Sequence, residues 1–159
     1  MFPKAPYAAL ILCLALAGAS APAGAGLLSA KGDVIAIVNG ELFLGEAEGH
    51  LNGAGTLSIH SQRKPSLTCS GEFTSSAELG GQGKLRCNDG SSATFQFKRL
   101  DMRRGHGAGK FSRGPMTFAY GLKPEEAARY LTLPKGKKLA NDGSGPVLVG
   151  SAIGGAGAP

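Results

Sequence analysis

Asp33-Val34-Ile35-Ala36-Ile37-Val38-Asn39-Gly40-Glu41-Leu42-Phe43-Leu44 decides the fold class. The first half is a β-branched run, the composition that suits an extended, pleated backbone. Asn39-Gly40 then separates two apolar runs. That dipeptide favours a two-residue hairpin turn, because a type I′ turn needs positive φ at both central positions. The stretch therefore predicts two antiparallel strands joined tightly.

Downstream, the period of two repeats. Thr56–His60, Leu67–Phe73, Lys84–Cys87, Ala93–Phe97 and Met116–Tyr120 each alternate apolar and polar residues. Alternation places Leu57 with Ile59 on one strand face, Leu67 with Cys69 and Phe73, Leu85 with Cys87, Phe95 with Phe97, and Met116 with Phe118 and Tyr120. If these faces form the core, Cys69 and Cys87 point inward from neighbouring strands and form a disulfide. Closing that loop is worth about 3 kcal/mol in the chain-entropy model.

The ends of the chain set its address. Lys4 precedes an apolar run from Ala8 to Gly18, and Ala21-Pro22-Ala23 and Ala23-Gly24-Ala25 offer small residues for cleavage. This is the pattern of a signal peptide over residues 1–25, cut after Ala23 or Ala25. The run is shorter than the roughly 20 residues a membrane span needs, so no stable membrane span is expected. Loss of the leader removes Cys13 and leaves the Cys69/Cys87 pair, as suits an oxidising, periplasmic or secreted setting. His50, His60 and His106 lack paired-ligand spacing, and no metal or cofactor is expected.

A Gly-x-Gly step recurs as Gly53-Ala54-Gly55-Thr56-Leu57, Gly81-Gln82-Gly83-Lys84-Leu85 and Gly107-Ala108-Gly109-Lys110-Phe111, at steps of 28 and 26 residues. Such glycines supply either positive φ or close backbone approach. Apolar-x-Gly elements, Phe43-Leu44-Gly45 and Cys69-Ser70-Gly71, precede the first two copies. With these elements, residues 43–120 resemble the MORN (membrane occupation and recognition nexus) hairpin repeat, although Cys69 and Phe43 stand where that repeat carries tyrosine. The resemblance implies stacked hairpins and a scaffolding or surface-contact role, not catalysis. The chain is also similar to exported proteins of proteobacteria with a two-cysteine, Asp-Gly-turn core, which implies a compartment and no activity.

After Tyr120, Leu122–Leu131 reads as one short helix: Pro124 suits its first turn, Glu125 and Glu126 complement its N-terminal dipole, and Pro134 stops it. The helix is expected to cap one end of the sheet. Residues 135–159 read as a flexible Gly/Ala-rich tail, in which Pro146–Val149 could add an edge strand. The expected fold is thus all-β: repeated antiparallel hairpins over 26–134 forming a twisted sheet or small open barrel, with one short C-terminal helix.

The chain carries 17 basic and 11 acidic residues. Between Lys84 and Arg113 stand eight basic residues against Asp89 and Asp101. Lys98, Arg99, Arg103, Arg104, Lys110 and Arg113 are the candidate patch for an anionic partner, either an envelope surface or an acidic protein. Nucleic acid is not expected, because Phe95 and Phe97 belong to the core and not to an exposed stacking surface. No Gly-x-Ser-x-Gly elbow or phosphate loop is present, and no catalytic residue is assigned. The carboxylates Glu46 and Glu48 with His50 are the residues a hydrolase of an envelope polymer would use. An inhibitor of an exported enzyme, presenting a rigid loop, is the remaining alternative to a non-enzymatic envelope binding or structural module.

Overall fold

The computed structural model describes residues 29–76 and 80–151. The proposed leader, Cys13 and the last eight residues lie outside the described part. Eight antiparallel strands follow one another and close into a barrel. They are β1 (Ser29–Val38), β2 (Glu41–His50), β3 (Ala54–Ser61), β4 (Thr68–Ser76), β5 (Gly80–Cys87), β6 (Ser92–Arg99), β7 (Gly105–Phe111) and β8 (Gly114–Tyr120). Each strand pairs with its sequence neighbour, and β1 pairs with β8 from Val34 opposite Tyr120 to Val38 opposite Met116. The sheet is thus closed, not an open twisted layer, and closure covers both edges except at Ser29–Gly32 of β1, which pair only with β2.

The opening hairpin has the predicted turn. Asn39 has φ of 48° and Gly40 of 82°, as the type I′ geometry requires. The predicted inward faces are also correct. Leu57, Ile59, Leu67, Cys69, Leu85, Cys87, Phe95, Phe97, Met116 and Phe118 share one buried core inside the barrel. Cys69 and Cys87 are direct cross-strand partners joined by a disulfide. Outward positions of β3–β6, such as Thr56, Ser58, Glu72, Lys84, Arg86 and Gln96, are polar and exposed. That is the reverse of a bilayer-spanning barrel, whose outer band is apolar.

Interior packing follows a rule of alternation around the barrel. One register row runs Gly55, Phe73, Gly83, Phe95, Gly109, Met116. Another runs Gly81, Phe97, Gly107, Phe118, Ala36, Phe43. Large and small residues alternate from strand to strand, so each ring lies over its neighbours' bare backbone. Small barrels fill a narrow interior this way. The recurring Gly-x-Gly steps fall at these positions on β3, β5 and β7. Apart from Gly53, their glycines lack positive φ; what they supply is close approach. A Cβ on Gly83 would stand 2.4 Å from the Phe95 ring, and one on Gly107 2.5 Å from Phe118.

The barrel has one plugged end. There Phe43, Leu67, Phe111 and the disulfide fill the interior. Ser61, fully buried, receives the backbone N–H groups of Arg63 and Lys64 and bonds the Glu41 carboxylate.

The C-terminal segment departs from expectation. The helix is a single turn, α1 (Pro124–Ala127), because the chain leaves helical geometry before Leu131. It lies against the outer wall and does not cap an end: Leu122, Ala127 and Leu131 pack on Ile35, Ile37, Leu42 and Ala119. This explains why β1 lacks clean alternation, since Ile35 and Ile37 are covered from outside while Val34, Ala36 and Val38 face in. His106 and Tyr130 stack at 4.1 Å between ring centroids and fasten the segment to β7. Within the stretch read as a flexible tail, β9 (Lys137–Asn141) and β10 (Pro146–Gly150) form a separate hairpin. Buried Leu139 and partly buried Leu148 anchor it to the same outer cluster. The edge strand considered for Pro146–Val149 therefore pairs with β9 and not with the barrel.

Gly83→Ala is expected to lower stability by about 1–3 kcal/mol, the usual cost of overpacking. Gly49→Ala, whose added Cβ meets Phe73 only at 3.8 Å, should be neutral or slightly stabilising. Urea midpoints of the two variants distinguish a steric requirement from a general intolerance of side chains. Reduction of the disulfide is expected to lower unfolding free energy by about 3 kcal/mol, read from the same curves with and without reductant.

Candidate ligand-binding site

Opposite the plugged end, the alternation of large and small residues stops. On β1 and β2 the inward positions are Ala30, Gly32, Ala47 and Gly49, with Ala30 opposite Gly49 and Gly32 opposite Ala47. Small residues here meet small residues. A Cβ on Gly32 would find its nearest neighbour, the Arg103 carbonyl, at 3.5 Å, and one on Gly49 would touch the edge of the Phe73 ring only at 3.8 Å, so each position has room for a side chain. The result is a cavity of about 730 Å³ inside the open end of the barrel. Its size falls within the ordinary range for small-molecule sites.

The opposite wall is aromatic. Phe73 meets Phe97 edge-to-face at 5.4 Å, Phe95 meets Phe118 at 5.3 Å, and Phe97 meets Tyr120 at 6.0 Å. Edge-to-face pairs of this kind hold the rings in fixed orientations. Above them Arg99 continues the inward series Ala93, Phe95, Phe97 of β6. Its guanidinium donates to Ser75 Oγ at 2.9 Å, and Ser75 in turn donates to the Gly53 carbonyl at 3.2 Å. Arg99 also lies beside the Tyr120 hydroxyl. Burial pushes the Tyr120 phenol above its usual range, and the Arg99 guanidinium opposes that shift. Lys31, Arg103, His50 and Asn52 complete the rim, and no described residue lining the cavity is acidic.

The rim is also where exposed apolar side chains collect. Leu51, Leu100 and Met102 are the exposed large hydrophobics among the described residues, at 68%, 45% and 75%. Leu51 lies in the β2–β3 turn, and Leu100 and Met102 in the β6–β7 loop, on opposite sides of the mouth. The β6–β7 loop is held by Asp101, which accepts from the Arg103 and Arg104 backbone N–H groups at 2.8 and 2.9 Å and from Arg104 Nε at 2.6 Å. These bonds hold the Asp101 carboxyl below its usual range.

The basic residues singled out in the sequence do not form one patch. Arg99 and Arg103 line the mouth. Lys98 and Arg104 are close by on the outside, Arg104 tied to Asp101. Lys110 lies on the outer surface of β7, in a broad shallow hollow of the wall. Arg113 is at the plugged end, ion-paired with Asp89. Sequence proximity grouped them, and the hairpin between β7 and β8 separates them by the length of a strand. Lys31 was missed; on the outward face of β1 and paired with Glu48, it still borders the mouth, from a distant part of the chain.

Glu46 and Glu48 face outward on β2 and not into the cavity. Glu48 lies 3.6 Å from Lys31. A hydrogen bond from Ser29, then the charges of Lys31 and His50, hold its carboxyl below the usual value. His50 reaches the rim without Glu48 beside it in the cavity.

Fold and site together define a small up-and-down β-barrel with a plugged end, an open end and a cation-rimmed internal cavity. No protein-family model, curated protein or solved structure matches the chain.

Arg99→Gln should raise the Tyr120 phenol still further, because the opposing charge is removed. Phenolate absorbance during alkaline titration, compared between parent and variant, reads this directly. A raised folded-state value stabilises below the unfolded phenol value of about 10. The Tyr120 contribution should therefore be lost as pH rises through and beyond that value.

Proposed function

We propose that this protein is a non-enzymatic binding module of the envelope or secreted space, and that the open end of its barrel docks on an anionic lipid surface. One observation carries the reading: the exposed apolar side chains Leu51, Leu100 and Met102 stand on the loops of one end, beside basic residues. Apolar tips ringed by cations suit the boundary between head groups and acyl chains. Arg103 makes no ion pair among the described residues, whereas Lys31 and Arg104 each face one acidic partner. The oxidised pair inside the barrel and the leader expected over residues 1–25 support a periplasmic or secreted address.

Flotation with phosphatidylglycerol vesicles tests the proposal, with phosphatidylcholine as the neutral comparison. The parent protein is expected to float with the anionic vesicles and to be released by salt. Each basic residue near such a surface contributes about 1 kcal/mol, so Lys31→Gln with Arg103→Gln should weaken binding by roughly 30-fold. Leu51→Ser with Met102→Ser should weaken it further at high salt. Equal flotation of parent and variants, or equal flotation with neutral vesicles, overturns the assignment.

A further inference from the structure

We infer that the cavity inside the mouth holds the hydrocarbon part of a single-chain acidic amphiphile, with its carboxylate or phosphate on Arg99 and the Tyr120 hydroxyl. The inference deepens the reading of the mouth as the working end and rests on it for the route of entry. Its own support is internal and does not use the exposed tips.

Three features of the interior specify the ligand. First, the space is built into the sequence of β1 and β2: Ala30 stands opposite Gly49 and Gly32 opposite Ala47, where the alternation elsewhere would give one large residue in each pair. A barrel filled only for stability would carry large side chains there, as it does from Phe73 to Met116. Second, the facing wall of Phe73, Phe97 and Tyr120 offers apolar contact and no hydrogen-bonding group until the level of Arg99. An occupant is therefore apolar along its length. Third, the polar groups converge at one level. Arg99, held by Ser75, and Tyr120 flank Gly105 on neighbouring strands with the Tyr120 hydroxyl lying over that glycine, and Arg103 and Lys31 stand on the rim beyond. A guanidinium fork matches a carboxylate or phosphate, and both donors can be satisfied by one such group. A neutral chain would leave the guanidinium unmatched, and a cationic head would be repelled.

The probes are laurate, dodecyl phosphate and dodecyltrimethylammonium, which share a chain and differ in head group. One-to-one binding is read by native mass spectrometry and by displacement of a fluorescent naphthalenesulfonate from the full-length mature protein. Laurate or dodecyl phosphate is expected to bind at least ~10-fold more tightly than the ammonium compound. A preference for laurate indicates a free fatty acid as the natural source, and a preference for the phosphate indicates a single-chain lipid phosphate such as a lysophospholipid; both support the inference. Arg99→Gln should remove the head-group preference, and Gly49→Leu or Ala47→Phe should abolish binding of the chain. The inference is overturned if the ammonium compound binds as well as the acids. It is also overturned if both filled variants, melting like the parent, still bind laurate. Should the filled variants fail to fold, the head-group series on the parent decides alone. Vesicle flotation separates the two proposals: laurate binding without flotation overturns only the docking surface, and flotation without laurate binding overturns only the cavity.

Discussion

A ring that points into an eight-stranded barrel has almost no room beside another ring, and the rest of this structure depends on how that constraint is met. Cross-strand partners on one face have Cβ atoms only about 5 Å apart. Phe73, Phe95, Phe97 and Phe118 can all face inward because glycine stands opposite each of them on at least one neighbouring strand. The glycines lose side-chain burial of their own, and the rings cover their exposed backbone, an arrangement that pins register in designed sheets as well. A one-residue slip would send every ring into water and every glycine away from its partner.

Plugging one end and opening the other follow from the same economy. At the plugged end large residues and the Cys69–Cys87 bridge meet across the axis. At the open end the inward positions of two adjacent strands are alanine and glycine only, and of the facing rings Phe73 comes no nearer than the edge of Gly49. The bridge is therefore remote from the cavity; it holds the floor of the barrel while the mouth keeps its space. Outside, the Leu122–Leu133 segment and the β9–β10 hairpin cover the one stretch of wall that is apolar on both faces. That covering lets β1 be a continuous β-branched run without exposing Ile35 and Ile37 to water.

Much of the fold was legible from the period of two. It located five of the eight barrel strands, and the β-branched run Asp33–Val38 with the Asn-Gly turn and Glu41–Leu44 located two more. It also put both cysteines on the inward face, because side-chain direction along a strand is set locally. β7 was seen only as the last Gly-x-Gly copy, since glycine carries no alternation signal. The C-terminal hairpin was obscured for a different reason. Lys137–Asn141 has a single apolar residue, Leu139, and its strand state comes from docking on the outer wall, not from its own pattern.

The candidate site divides in the same way. The sequence by itself determined which residues face inward, that Cys69 and Cys87 could meet, and that basic residues gather around Arg103; all three follow from local alternation and spacing. Only the tertiary structure decided that the sheet closes, that Ala30, Gly32, Ala47 and Gly49 meet to leave a cavity, and that Arg99 joins Tyr120 and Lys31 at its mouth while Arg113 goes to the far end. The reason is physical. Closure and register bring together strands far apart in the chain, and an empty volume belongs to the space between side chains, which no stretch of sequence contains.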